Sequence, residues 1–163
     1  HVREGLRLAE KYHLPKVIRD FISTHHGTSM AKYFYIQWKN KHEGQEPDSA
    51  LFTYPGPNPF TREQAILMMC DAVEASSRSL KEVTEENLKE LVNRIVDGQV
   101  QAGYFRECPI TFRDIAEAKR VLVESLKTIY HTRIAYPELN KKPMEEEVQP
   151  RRGYFFGRKG GMR

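Results

Sequence analysis

No stretch of this 163-residue sequence approaches the roughly 20 consecutive apolar residues that a membrane-crossing helix requires. The chain opens His1-Val2-Arg3-Glu4, with charges where a secretory leader carries apolar residues, so no leader is expected. Cysteine is scarce: Cys70 and Cys108 are the two in the chain, and they form no CxxC pair. Cys70 sits in an apolar run and reads as a small buried hydrophobe in a reducing compartment rather than half of a disulfide. GxGxxG, GxxxxGK[ST], GxSxG and HExxH are all missing, which sets aside the dinucleotide-binding, P-loop, nucleophile-elbow and zincin classes. There is no internal repeat, and no apolar–polar alternation strong enough to mark a strand.

What is present suits a single globular domain with a real core: 39% hydrophobic and 29% charged residues. The net charge of +4 is localised. Residues 141–163 carry seven Lys and Arg against Glu145, Glu146 and Glu147, which leaves residues 1–140 formally neutral. The basic character thus belongs to a solvated tail rather than to a folded face, and no nucleic-acid partner is expected.

Helical periodicity dominates. Leu6, Ala9 and His13 share one side of a helix over 2–13, which Pro15 breaks or restarts. A second helix over 15–26 carries Val17, Ile18, Phe21 and Ile22, and Gly27 stops it. Ser29 is expected to cap a third over 29–43, whose aromatic run Tyr33, Phe34, Tyr35 and Trp38 reads as core, with a base-stacking platform as the other option. Residues 44–60, with Pro47, Pro55, Pro57 and Pro59, form a loop long enough to suggest a lid. Thr61 with Gln64 makes a capping box for a helix to about Leu80. Thr84 starts the next, which Gly98 weakens or ends. Thr111 caps the last, which Pro137 closes.

Two features resist a structural explanation. In His25-His26-Gly27-Thr28 the two imidazoles lie about 100° apart in mid-helix, but at a last turn both can lean towards one cavity. They are metal ligands or helix-end histidines complementing the dipole. Asp71 stands in the run Ile66-Leu67-Met68-Met69-Cys70-Asp71-Ala72-Val73, which implies burial on all sides. Such a carboxylate is ion-paired or metal-bound. Arg78 shares its face, although Glu74 is the closer claimant for that arginine. His13, His42 and His131 are expected to hold no metal. Tyr54 is placed as loop packing, with stacking on a base as the other option.

Taken in order, HVREGLRLAEKYHLPKVIRDFISTHHGTSMAKYFY and YPGPNPFTREQAILMMCDAVEASSRSL resemble the cytoplasmic HD domain of the seven-transmembrane HD family of bacterial receptors. The resemblance implies an all-α fold, the C-terminal part of an HD-domain helical bundle over 1–137, with a flexible basic tail over 138–163. It implies a metal-dependent phosphodiesterase that opens cyclic di-AMP to its linear form with a dinuclear iron or manganese site. His1 matches the histidine opening the HVxEG-type helix, His25 and His26 the paired histidines, and Asp71 the final aspartate. On that pattern the three histidines hold one metal and Asp71 the other, with His26 and Asp71 central to catalysis. Thr28, Lys32 and Arg78 are expected phosphate contacts. The family's first histidine and its HD dyad do not occur in the sequence. Upstream N-terminal HD and transmembrane segments of a parent protein are therefore expected partners, and the location is a cytoplasmic domain of an inner-membrane protein. The other reading is a degenerate HD domain that binds a nucleotide without cutting it.

Overall fold

The computed structural model describes residues 1–131. Its α-helices are α1 (Val2–Lys11), α2 (Lys16–Thr24), α3 (Lys32–Lys41), α4 (Arg62–Ser77), α5 (Glu85–Gln101) and α6 (Phe112–His131), with a 3-10 turn at Ser49–Phe52. Among the described residues the one β pairing is an isolated bridge between Met30 and Thr53. The all-α expectation holds. The tail over 138–163 and the domain end at 137 lie outside the described residues.

The core is built by α4, α5 and α6, which pack on one another. Met69 and Val73 of α4 meet Leu88, Val92 and Val96 of α5, all at most 1% exposed, with Val123 and Leu126 of α6 closing the third side. Removing such side chains from water is worth about 1.5–3 kcal/mol each. The helix starts follow local chemistry. Thr61 accepts from the Gln64 amide while Gln64 returns its side chain to the cap backbone, and Thr84 accepts from the Asn87 amide. Thr111 and Asp114 exchange a reciprocal pair of the same kind.

Several expectations are corrected. Gly98 does not end its helix: α5 runs on to Gln101 and stops before Gly103, which takes φ 79°. One helical glycine costs about 1 kcal/mol, less than the burial of Val92 and Val96 on the same helix returns. Ser29 does not cap α3, which begins after Ala31. The carbonyl of Ser29 instead accepts from the Tyr54 amide, and Met30 is held against Thr53. The aromatic run is not core either. Tyr33, Phe34 and Ile36 are 71%, 59% and 54% exposed, because α3 packs against the Ser49–Phe52 turn and buries none of its residues. Asp71 is not enclosed: its side chain is 43% exposed. The neighbouring helices cover α4 on part of its circumference, and Ile66 and Leu67 also remain open to solvent. Both cysteines are free thiols, half-buried rather than enclosed.

Candidate metal centre

The first two helices explain how residues 24 apart in sequence become neighbours. α1 and α2, 10 and 9 residues long, pack on each other as an antiparallel hairpin. Gly5 permits the close approach, since a Cβ there would lie 3.1 Å from Cγ2 of Ile22. His13 turns the chain between them at φ 54°, a left-handed position that histidine tolerates better than most residues. Helices of nearly equal length joined by a tight turn bring the start of the first to the end of the second. His1, preceding α1, therefore stands beside His25 and His26, which follow α2.

The three imidazoles converge. His1, His25 and His26 each offer one ring nitrogen, and these atoms all lie within 4.8 Å of one another. Nε2 of His26 is 2.9 Å from Nε2 of His1, and the rings of His25 and His26 have centroids 4.1 Å apart. Nδ1 of His25 lies 2.8 Å from the carbonyl oxygen of Ile22. A carbonyl only accepts, so Nδ1 carries the proton, which leaves Nε2 as the nitrogen that can offer a lone pair to a metal. A backbone carbonyl on the far nitrogen is the usual way a metal-binding histidine is oriented and its tautomer set. The donor set fits a borderline transition metal: neutral nitrogens, convergent, with one face open. Burial, and then the neighbouring charge of His25, hold His26 below the ordinary imidazole value, against the opposing pull of Asp71.

Asp71 projects from α4, which packs against α2. Its Oδ2 is 3.4 Å from Nδ1 of His26, on the ring nitrogen opposite the one that meets His1. The structure thus brings together four of the residues singled out from the sequence. Thr28 lies on the same turn, its amide and hydroxyl both donating to Oδ1 of Asn58, at 2.8 and 3.0 Å. Lys32 opens α3. Arg78 is two turns beyond Asp71, and its guanidinium grips the Glu74 carboxylate at 2.9 and 2.7 Å.

Sequence reasoning underrated the 53–59 segment. It is pinned against the histidine turn, which speaks against a lid. The Tyr54 amide donates to Ser29, the Ala31 amide to Phe52, and Asn58 clasps Thr28. Tyr54 is more than loop packing: its ring stacks on His26 with centroids 4.3 Å apart and planes 23° apart. It also meets His1 edge-on at 5.7 Å. The signal available beforehand was the prolines and glycines of YPGPNP, which mark a shaped backbone but not its neighbour. A separate groove of about 500 Å³ between α4 and α6, lined by Ile66, Val73, Val121 and Leu122, contains none of the histidines. It is apolar and offers no converging ligand atoms.

With that geometry in hand, similarity to known proteins becomes informative. The chain is 39% identical over 142 residues to the cyclic-di-AMP phosphodiesterase PgpH of Bacillus subtilis, covering 87% of this chain and 20% of that protein. The HD domain of PgpH from L. monocytogenes, solved in complex with cyclic-di-AMP, superposes with a TM-score of 0.74 at 36% identity. The chain is homologous to PgpH and has the fold of its HD domain. The superposition covers 83% of this chain and 63% of the solved PgpH chain. A second structure of that domain gives a TM-score of 0.72 at 34% identity, covering 80% of this chain and 60% of that one. An uncharacterised protein of Synechocystis is 38% identical over 141 residues, covering 85% of this chain and 17% of that protein. The chain spans about one fifth of the length of these full-length relatives. No family model matches it. No helix among the described residues is long and apolar enough to cross a membrane.

Proposed function

We propose that this chain is the metal-binding part of an HD-type phosphodiesterase that hydrolyses cyclic di-AMP to the linear dinucleotide. The observation that carries the reading is the convergence of His1, His25 and His26, with His25 locked by Ile22, in a chain homologous to PgpH. The native metal is an iron or manganese pair. Bound cations of this kind polarise a phosphodiester and acidify water, which is the chemistry such hydrolysis needs.

His1, His25 and His26 hold one ion through neutral ring nitrogens. Asp71 serves the second with its exposed carboxylate, which lies 3.4 Å from Nδ1 of His26. Thr28, on the turn itself, and Lys32, at the start of α3, contact the phosphates. Arg78 joins them by exchanging Glu74 for phosphate, a swap favoured by bidentate geometry. An upstream HD segment completes the ligand set, in a longer, inner-membrane parent that also carries transmembrane segments. This chain's part is a cytoplasmic domain.

The test is elemental analysis of protein purified without chelator, followed by a cyclic di-AMP hydrolysis assay. About two iron or manganese ions per polypeptide are expected once upstream ligands are present, and about one in this chain alone. Loss of metal in His26→Ala supports the site. Wild-type protein that takes up no metal refutes the reading. The second reading is a domain that binds the nucleotide without cutting it. Tight nucleotide binding with metal bound but no linear product, in protein that includes the upstream segments, would establish it instead.

A further inference from the structure

Tyr54 comes from a segment remote in sequence from the histidines, yet its main chain is fixed beside them. Its amide donates to the Ser29 carbonyl at 2.9 Å, and the preceding Thr53 bridges Met30. Asn58, four residues on, holds the Thr28 amide and hydroxyl. The ring thus stands on a framework tied at three points to Thr28, Ser29 and Met30, the end of the HHGT turn and the two residues after it. From there it lies face-on to His26 at 4.3 Å and edge-on to His1 at 5.7 Å. His1 precedes its helix and is exposed, and its side chain makes no cap hydrogen bond to α1. His25 has a carbonyl to set its ring; His26 has a 3.4 Å contact with Asp71, too long to fix a ring by itself. Beyond their 2.9 Å contact with each other and the His25 ring against His26, what restrains the planes of His1 and His26 is the tyrosine ring.

We infer that Tyr54 is a positioning residue of the metal centre, whose aromatic ring holds the His1 and His26 imidazoles in the orientation that binds the cation. The inference rests on the proposed metal-binding function and adds a residue to it. With one face of Tyr54 covered by His26, a purely base-stacking role leaves that contact unexplained.

The experiment measures Co(II) and Mn(II) affinity of the 163-residue chain by chelator competition, together with the visible spectrum of the Co(II) form. Tyr54→Ala is expected to weaken binding by roughly 10–100-fold, as loss of a residue that orients a metal ligand does, and to alter the Co(II) bands. Tyr54→Phe keeps the ring and is expected to retain affinity within about 3-fold and the wild-type spectrum. Tyr33→Ala, which removes an exposed aromatic residue from α3, is the control and is expected to change neither. Circular dichroism of each variant separates unfolding from loss of the site. Wild-type affinity in Tyr54→Ala overturns the inference alone, as does an equal loss in Tyr54→Phe, which would assign the effect to the hydroxyl. A misfolded Tyr54→Ala leaves Tyr54→Leu, similar in bulk but without an aromatic face, to decide by the same criteria. A wild-type chain that binds neither cation overturns the metal-binding reading itself.

Discussion

Gly27 is where backbone geometry and the candidate site are most tightly linked, so Gly27→Ala is a demanding test. The residue takes φ 51°, and a Cβ there would sit 2.5 Å from Oδ1 of Asn58. Left-handed backbone costs an L side chain about 1–2 kcal/mol. Because 2.5 Å is below any real contact, Asn58 must swing away and give up both hydrogen bonds to Thr28. Each is worth about 0.5–1.5 kcal/mol, nearer the lower figure at an exposed turn. The expected loss in Gly27→Ala is therefore about 2–4 kcal/mol, read from urea unfolding. Asn58→Ala alone forfeits the hydrogen bonds without the strain and is expected to cost about 1–2 kcal/mol. In the double variant the hydrogen bonds are lost only once and the clash is relieved, so its cost is expected to match that of Gly27→Ala and fall short of the two single costs together. A Gly27→Ala cost below about 0.5 kcal/mol, or full additivity, would refute the argument that Asn58 and the left-handed turn act as one unit.

Three further outcomes are expected. Met69→Ala removes a fully buried side chain between α4 and α5 and should cost about 2–5 kcal/mol by urea unfolding while metal content stays unchanged. Glu85, hydrogen-bonded by Lys89 and then Lys127, has its carboxyl lowered from 4.5 to about 2. A lowered folded-state value means that its contribution is present above the ordinary carboxylate value and is lost as pH falls towards about 2. Glu85→Gln should therefore flatten the fall of Tm between pH 4.5 and 2, and an unchanged slope would contradict the pairing. Arg78→Ala should alter stability by less than about 1 kcal/mol, since its pair with Glu74 is exposed. In protein that hydrolyses cyclic di-AMP, the same change should raise KM roughly tenfold with kcat little changed, as loss of one phosphate contact implies.

Much of this protein was determined by sequence alone, where the governing interactions are local. Thr61, Thr84 and Thr111 start helices because each hydroxyl reaches an amide three residues on, a contact that needs nothing from the rest of the fold. Gly27 ends the histidine turn for the same kind of reason, and the order HHGT, YPGPNPFTRE and DAVEASSRS carried the resemblance that named His1, His25, His26 and Asp71. Burial and proximity were decided only by tertiary structure, because both depend on which surfaces happen to cover a residue. Asp71 stands in an apolar run yet is 43% exposed, and Tyr33 and Phe34 lie open because α3 packs against one short turn. Tyr54 meets His26 through a loop whose path is set by the amides and carbonyls of Ser29, Ala31 and Phe52. No side-chain pattern encodes those backbone partners. His1 reaches His26 because two helices of nearly equal length fold back on each other. Their lengths were approximately legible in sequence, but the contact exists only once the hairpin closes.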